Sequence, residues 1–545
     1  MAILLRSALT FLKPPSGANI GSSTRIAASA EALRHPAIAA TVSGVLFSIL
    51  IVINVVRAFH HAMWRDELQI FMLALYSSSP LSLLLKLKHE AHPGLWHMLV
   101  WVITRFTSDP MWMQTMHIGL AIGVWTIVYC WSPFSRLEKI LLLLSYFLFW
   151  EYFVISRAYV VIALSAFAFI ALRERQPRPE FTLWLLLGIM ANVHMFGAIW
   201  SMVLAAMLAI ELVRSRSMPI TGPAVYVVLL VFAIATMVPA ADYGPWGHDV
   251  GFSVSRLNGD LLIPFGAIVP LRPESIWDAV AFIMHPKIAT IPQFWNSTPV
   301  TAFVALTHTD THHLIRLAFV FIVPIVVCWL IAREPLLVLE FTLVYLGIVL
   351  FENIWDFPGA ARHHGVVFLA LIASAWTARL RYSPAAQSLW VLRAILVINA
   401  CGGMLTLASE LRPFSEGYNV AAWIKQNDLV DSFLIGSRDA ETSTVSGYLG
   451  RPIYYLECEC QGSFIVWNDK RQNYLPSEEF ASRLAKAVAL AGQHDVILIR
   501  DQPITVEQVT SSAPSLSIAL LKSFEEASET DENFWIYRVS EDRMP

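Results

Sequence analysis

Charged residues are scarce in this chain of 545 residues, and their scarcity excludes an ordinary water-soluble protein. Asp, Glu, Lys and Arg together make up 14% of the sequence, whereas hydrophobic residues make up 56%. A soluble domain has about 25% charged residues covering its surface. The 19 Trp residues are typical of a protein with aromatic belts at both membrane interfaces. The composition therefore predicts an integral membrane protein.

Cysteine is rare as well, with five residues in the chain. Cys130, Cys328 and Cys401 lie in hydrophobic stretches and are expected to be inert core residues. Cys458 and Cys460 form a Cys-Glu-Cys sequence, for which we favour a structural, unpaired role over a disulfide. A metal site usually has more ligands at wider spacing. The chain also lacks a glycine-rich phosphate-binding loop, so a nucleotide site is not expected.

The net charge of −3 is distributed unevenly. From Glu410 to the end there are 21 acidic and 12 basic residues, a net charge of −9, and the preceding part has 26 basic and 20 acidic residues, a net charge of +6. The chain therefore divides into a mildly basic membrane part and an acidic C-terminal domain. Neither has the concentrated basic face that nucleic acid requires, so no nucleic-acid partner is expected.

Hydrophobic runs bounded by charges predict a mainly α-helical, polytopic membrane bundle with about eleven crossings. The first run is expected to be a retained helix, because four basic residues precede it and no small-residue cleavage site follows. Residues 94–131 contain two apolar runs around Ser108-Asp109-Pro110, which leaves open two crossings or one crossing with a re-entrant half-span. The predicted segments are 38–56, 94–131, 139–152, 157–172, 181–194, 197–213, 221–240, 314–332, 335–351, 365–379 and 388–407.

Basic loops between these segments orient the chain by the positive-inside rule. They place the N-terminal arm, residues 1–37, in the cytoplasm and the C-terminal domain, residues 410–545, outside it. The long loop of about 241–313 also falls outside, where we expect short interfacial helices and a lid-like role. Every unusual polar cluster falls on this same face. A bacterial inner-membrane protein with an extracytoplasmic active face is predicted.

The C-terminal domain alternates between strand-like and helix-like segments, which predicts a small α/β sheet. The predicted helices are 418–425, 444–450 and 478–492, and the predicted strands are 432–436, 453–456 and 495–500.

An acidic pair, Asp66 and Glu67, follows Arg65 directly after the first hydrophobic segment. A partly desolvated carboxylate at a span end has a raised pKa and can act as a general base. The plainer alternative is a solvated loop pair with Arg65 neutralising one carboxylate. About two dozen residues later, the sequence EAHPGLW at 90–96 opens the next hydrophobic segment.

These two motifs together resemble the first extracytoplasmic loop of GT-C glycosyltransferases, in the group of protein mannosyltransferases and lipid A aminoarabinose transferases. Such enzymes carry Asp or Asp-Glu in this loop and often His-Pro-Pro-Leu before the second span. Here the second motif reads His92-Pro93-Gly94-Leu95, with Gly94 in place of the second Pro. The resemblance covers roughly residues 40–410. It implies that Asp66 is the catalytic base and that Glu67 is its partner or, in metal-using relatives, a ligand.

Two isolated polar positions interrupt the later apolar segments. Arg157 is costly at a membrane surface unless it binds an anion or a carboxylate, and Glu151 is a nearby partner. The alternative is an interfacial arginine whose charge reaches water. His194 is more often structural at such a helix end. The resemblance favours substrate binding by both, since the family has a Tyr-Ser-Arg-like segment at the first position and a His-aromatic-Gly turn at the second.

A second constellation, Arg362-His363-His364, opens the hydrophobic segment at 365–379. Three cationic side chains at a helix N-terminus predict an anion site, because free backbone amides and the helix dipole add to them. The alternative is a polar helix cap. The resemblance implies contact with a lipid phosphate. No cofactor is assigned, although the histidine pair with Asp66 is an alternative site for a divalent metal.

The charge distribution, the hydrophobic segments and the resemblance together predict three parts: a cytoplasmic arm at 1–37, a GT-C-like transferase domain at 38–409 and an extracytoplasmic α/β domain at 410–545. The expected function is transfer of a sugar from a polyprenyl phosphate to an envelope acceptor, with inversion. The alternatives are a non-enzymatic flippase of polyprenyl-linked glycans and an envelope assembly scaffold. A flippase favours charges near the bilayer midplane and repeat symmetry, and the sequence shows neither.

Overall fold

The structure is a computed structural model, and its chain forms two compact units, Met1–Leu50 and Ile51–Pro545. Much of the loop predicted at about 241–313, with its lid-like role, lies outside the described residues, as does most of the N-terminal arm. All residues of the site discussed below belong to the second unit. The described residues are 29–215, 220–243, 250–253, 264–268, 270, 313–355, 357, 359–504 and 515–541.

The membrane part is built from helices joined by short loops. In the described residues, five helices are long and apolar enough to cross a membrane, namely Thr41–His60, Met111–Trp131, Met195–Arg214, Pro335–Trp355 and Ala386–Ala408. The mainly helical membrane architecture is therefore confirmed, and the number of crossings stays a prediction. The helices are α1 Ser29–His60, α2 Arg65–Leu75, α3 Pro80–Lys86, α4 Leu95–Thr104, α5 Met111–Trp131, α6 Arg136–Leu143, α7 Tyr159–Arg173, α8 Glu180–Ala191, α9 Met195–Arg214, α10 Thr221–Met237, α11 His313–Ala332, α12 Pro335–Trp355, α13 Ala361–Arg381 and α14 Ala386–Ser409.

Two of the predicted segments are divided in the structure. The stretch 94–131 consists of α4, with 10 residues, and α5, with 21 residues. At 1.5 Å per residue α4 is about 15 Å long, half of a bilayer core of about 30 Å, so its length suits a half-span and not a second crossing. The stretch predicted at 139–152 is also broken, because α6 ends at Leu143 and a π-helical turn follows at Phe147–Glu151.

The C-terminal domain has one six-stranded sheet in the order β3-β2-β1-β4-β6-β5. The central strand β1 pairs in parallel with β2 and β4, and the remaining pairs are antiparallel. The predicted α/β domain is confirmed, but β3 and the terminal hairpin β5–β6 were not predicted. The elements are α15 Gly417–Gln426, β1 Phe433–Ser437, α16 Asp439–Leu449, β2 Ile453–Tyr455, β3 Cys460–Gly462, α17 Ser477–Ala491, β4 Val496–Arg500, β5 Leu516–Phe524 and β6 Phe534–Glu541.

Alternation along the strands gives this sheet two apolar faces. On one face, Ile435 and Leu498 pack with Leu484 of α17 in one buried cluster. On the other face, Leu434 and Ile497 pack with residues of α15 and α16. Because successive strand residues point to opposite faces, both faces of β1 and β4 are covered by helices, as expected for parallel strands.

Three cysteine expectations are wrong. A disulfide joins Cys458 and Cys460, for which the sequence favoured an unpaired role, and their Cα atoms are 5.2 Å apart, within the usual range for such a bond. The chain turns between them, with Glu459 in the left-handed region at φ 49°. Cys130 and Cys401 are exposed on α5 and α14, whereas Cys328 is buried as expected.

Candidate active site

A cavity of about 670 Å³ lies between helices of the membrane part and the C-terminal domain. It brings together Asp66, His92, Arg157, Arg362 and His363, five of the eight residues predicted from the sequence. Its other lining residues are Arg65, Gln69, Ile70, Glu90, Ala91, His97, Met195, Ile234, Met237, Val238, Pro239, Tyr243, Phe351, Trp355, Phe357, Ala440, Ile465 and Trp467. One part of the wall is thus charged, and a large part is apolar or aromatic.

Asp66 is the centre of the charged part. It lies in the first turn of α2, and its Oδ2 is 2.8 Å from Arg157 and 3.2 Å from Arg362. Burial raises the pKa of this carboxyl, but the guanidinium groups of Arg157, Arg362 and Arg65 outweigh burial and lower the pKa below its usual value. Asp66 is therefore an ionised carboxylate that holds two cations together. Arg157 pairs here with Asp66 and not with Glu151, the partner considered from the sequence.

Glu67 points away from Asp66 into the protein interior and is fully buried. Its Oε2 accepts hydrogen bonds from His61 Nε2 at 2.8 Å and the Trp64 amide at 3.3 Å, and its Oε1 accepts one from the Ser156 amide at 2.6 Å. Ser156 directly precedes Arg157, so Glu67 ties the loop that carries Arg157 to the helix that carries Asp66. Glu67 does not line the cavity, and its contacts are those of a positioning residue.

We expect Glu67→Ala to lower both the melting temperature and transfer activity, whereas an exposed carboxylate such as Glu478 tolerates replacement. The alanine leaves buried donors unpaired, and each such group costs about 1–3 kcal/mol of folding free energy. Glu67→Gln keeps an acceptor oxygen and should recover part of the stability. Thermal unfolding in detergent, with Glu478→Gln as the control, measures the difference. An alanine variant as stable as the control would remove the positioning role.

Arg362 also belongs to the charged part of the wall and lies in the first turn of α13. Its guanidinium lies 5.5 Å from the centre of the Trp64 ring, and its carbonyl accepts a hydrogen bond from the Tyr152 hydroxyl at 2.8 Å. Gly359 has φ 63°, and a Cβ there would lie 2.5 Å from Glu352 Oε1 and 2.6 Å from His364 Nε2. The tight turn into α13 therefore requires glycine at this position.

Of the four histidines predicted as site residues, His92 and His363 line the cavity, whereas His194 and His364 do not. The rings of His92, His194 and His363 form a cluster, with His194 5.5 Å from His92 and 5.7 Å from His363 between ring centres. His194 caps α9 by accepting a hydrogen bond from the Phe196 amide at 3.2 Å and does not line the cavity. His364 is also outside the cavity, because its Nε2 bonds Glu352 Oε1 at 2.6 Å in the interior.

A metal site is not evident in the part of the chain that the structure describes, where no group of three or more His, Cys, Asp and Glu side chains is placed to hold an ion. The sequence offered His363 and His364, together with Asp66, as metal ligands. The two histidines point in different directions, since His363 faces the cavity and His364 faces Glu352.

The C-terminal domain completes the site and was not expected to do so. Arg65 Nη2 is 2.7 Å from Asp531 Oδ2, and the fully buried Glu532 lies 3.5 Å from Arg65 Nη1. Burial raises the pKa of Glu532 to about 8, against the lowering effect of Arg65. A Cβ on Gly447 of α16 would lie 2.9 Å from Leu68, so α16 rests directly on α2. Ala440, Ile465 and Trp467 of this domain line the cavity.

Glu90 also lines the cavity and belongs to the EAHPGLW motif, but no role was predicted for it from the sequence. Its Oε1 accepts a hydrogen bond from Gln69 Nε2 at 2.7 Å. Burial raises the pKa of the Glu90 carboxyl to about 7, with Gln69 and Arg157 acting in the opposite direction. The signal available in the sequence was its place two residues before His92, in the motif that carried the resemblance.

Comparisons with known proteins gave one structural match. No protein-family model matches this chain, and no curated protein matches it. The structure is similar to that of ArnT from Cupriavidus metallidurans bound to undecaprenyl phosphate, at 13% sequence identity and a TM-score of 0.37, covering 91% of this chain and 97% of ArnT. ArnT is a lipid A aminoarabinose transferase, one of the groups that the motifs resemble. A TM-score below 0.5 supports no detail of mechanism, which has to rest on the residues of this chain.

Proposed function

We propose that this protein is a membrane glycosyltransferase that moves a sugar from a polyprenyl phosphate to an envelope acceptor. The observation that carries the proposal is the pair of guanidinium groups, Arg157 and Arg362, on one carboxylate in a cavity with a long apolar wall. Paired guanidiniums suit a phosphate, because Arg presents two parallel donors to its oxygens. The apolar wall suits the isoprenoid chain.

Two cations are needed most when the donor reacts. As the bond between sugar C1 and the phosphate oxygen breaks, negative charge develops on the leaving phosphate, and preorganised cations stabilise that charge more than they stabilise the bound donor. Phosphate that pairs with Arg157 and Arg362 shares these cations with Asp66, which keeps the two guanidinium groups together. Attack on C1 from the face opposite the phosphate gives inversion.

The site is proposed to face the extracytoplasmic side of a bacterial inner membrane. The positive-inside distribution of basic loops supports this location of the C-terminal domain. The disulfide between Cys458 and Cys460 in that domain agrees, because disulfides persist in oxidising compartments and are rare in the cytosol. Arg65 ties the domain to α2, so Asp66 must lie on the same side.

Labelling of introduced cysteines tests this orientation. In a background with Cys130, Cys328 and Cys401 replaced by Ser, we expect Glu478→Cys to react with a membrane-impermeant thiol reagent in intact spheroplasts. Arg175→Cys, in a basic loop, should react only after lysis. Reaction at position 175 alone would invert the orientation and remove the extracytoplasmic site.

The transfer itself is tested in native membranes that contain the full-length protein. A panel of radiolabelled polyprenyl-phosphate monosaccharides is supplied, and release of polyprenyl phosphate is measured beside mass analysis of envelope glycans with and without the protein. We expect one donor to be consumed and one envelope glycan to lose a sugar when the protein is missing. Consumption of no donor, with an unchanged glycan profile, would reject the function.

A further inference from the structure

The cavity contains a second carboxylate that the phosphate site does not use. Glu90 lines the same cavity as Asp66, Arg157 and Arg362. Asp66 is occupied by two guanidiniums, whereas Glu90 forms no ion pair within the described residues and accepts a neutral hydrogen bond from Gln69. The two carboxylates therefore differ in kind: one binds cations, and the other is open to a neutral group.

Three features constrain the position of Glu90: the hydrogen bond from Gln69, the backbone conformation of the next residue, and a contact of its own carbonyl. The Gln69 amide that donates to it is itself fixed by Ile465 of the C-terminal domain, with Nε2 2.8 Å from the Ile465 carbonyl and Oε1 2.8 Å from the Ile465 amide. The next residue, Ala91, has φ 53°, a left-handed conformation that an alanine rarely adopts. The carbonyl of Glu90 also lies 2.5 Å from His92 Nδ1. Such constraint on a cavity carboxylate is typical of a functional group.

We infer that Glu90 is the general base of the transfer, the role that the resemblance gives to Asp66, and that the acceptor is an alcohol. This inference rests on the proposed function. In the step, the acceptor O–H bond breaks and its proton passes to the Glu90 carboxylate, while the acceptor oxygen bonds to sugar C1. The bond between C1 and the phosphate oxygen breaks, its electron pair stays on that oxygen, and polyprenyl phosphate leaves. Asp66 positions the two arginines and does not hold the proton.

Proton affinity supports this division of roles. Burial raises the pKa of Glu90 to about 7, and a base with a pKa near the working pH is the most effective. The three arginines around Asp66 lower the pKa of that carboxyl, so Asp66 is a poor proton acceptor. The charged and titratable groups near Glu90 are Asp66, Arg157, His92 and Tyr243, with the pair of His89 and Asp242, 2.9 Å apart, next to them along the chain.

The base also restricts the class of acceptor. An alcohol has a proton that must be removed as its oxygen attacks C1, so a base accelerates the reaction. An ionised phosphate acceptor has no such proton, and a second carboxylate beside it would repel it. Glu90 therefore indicates a hydroxyl on a sugar, a lipid or a protein as the group that is glycosylated.

Glu90→Gln tests the inference in native membranes with the donor that the wild type consumes. We expect release of polyprenyl phosphate to slow by about a hundredfold or more, the scale of lost general-base catalysis. Binding of polyprenyl phosphate to the purified protein should change less than about threefold, because Arg157 and Arg362 remain. Glu90→Asp keeps a carboxylate and should recover part of the rate. Glu478→Gln, an exposed carboxylate, is the matched control.

The dependence on pH separates the base from a residue that only shapes the cavity. As the pH is raised toward about 7, the wild-type rate should increase about tenfold per pH unit, and above this pH it should level off, since only ionised Glu90 accepts a proton. In Glu90→Gln the residual rate should be independent of pH in this range. A wild type that transfers sugar while Glu90→Gln keeps its rate, or keeps the pH slope, would overturn the role of Glu90 and leave the transferase intact. A wild type that consumes no donor would instead reject the proposed function.

Discussion

Asp66→Asn should lose transfer activity by at least about a hundredfold while binding polyprenyl phosphate as well as the wild type or better. The loss follows because the carboxylate holds Arg157 and Arg362 in one geometry, and a misplaced cation stabilises the leaving phosphate poorly. Binding is retained because the carboxylate competes with phosphate for the same guanidiniums. An amide does not compete as an anion. The rate of polyprenyl-phosphate release measures the loss of activity, and the affinity for polyprenyl phosphate, measured on the same preparations, measures binding.

Two results would contradict this role of Asp66. Near-wild-type turnover of the asparagine variant would show that the carboxylate is not needed for the chemistry. Weaker phosphate binding would show that Asp66 supports the phosphate site and does not compete with it. The residual activity also carries information, because it should keep the wild-type rise with pH if Glu90 is the base and lose that rise if Asp66 is.

The charged centre of the site was largely predictable from the sequence. A charge at a membrane surface is costly unless it is paired or used, and this argument pointed to Asp66 and Arg157. The run of cationic side chains at a helix N-terminus pointed to Arg362. Their pairing was not predictable, because the three residues are separated by about 90 and about 200 positions along the chain. The sequence offered Glu151 as the partner of Arg157, since proximity in sequence was the available guide.

Adjacent polar residues are the positions whose orientation the sequence could not predict. Asp66 and Glu67 follow one another on α2, and His363 and His364 follow one another on α13. Neighbours on a helix point about 100° apart, so one member of each pair faces the cavity and the other faces the interior. The sequence shows that a polar pair is present, but which member faces the cavity depends on how the helix is rotated against its neighbours. That rotation is set by tertiary packing.

The contribution of the C-terminal domain to the cavity could not be predicted from the sequence for a related reason. Apart from β3, its strands and helices up to Arg500 could be predicted, because each segment has its own pattern of apolar residues. Its excess of acidic residues was visible only as a net charge, whereas the structure places Asp531 and Glu532 against Arg65, next to Asp66. Docking of one domain on another leaves little local pattern. Trp467 and Ile465 could therefore not be assigned to the cavity from the sequence.

Arg362→Ala should lower turnover by about a hundredfold or more and, unlike Asp66→Asn, should also weaken binding of polyprenyl phosphate. In other enzymes, removing one preorganised hydrogen-bond donor that stabilises a developing negative charge lowers the rate by about a hundredfold or more. Lys at this position should recover little, because its single point charge lacks the planar pair of donors that fits a phosphate. Arg538, in an exposed pair with Asp495, is the matched control, since exposed ion pairs contribute little.

The comparison among these variants locates the phosphate. Arg362→Ala and Arg362→Lys should lose both affinity and rate, Asp66→Asn should lose rate alone, and Arg538→Ala should lose neither. If Arg362→Ala binds polyprenyl phosphate and turns over normally, the phosphate does not contact this residue. Arg157 would then be the residue to replace next, because it is the other guanidinium on Asp66 and lies on the same cavity wall.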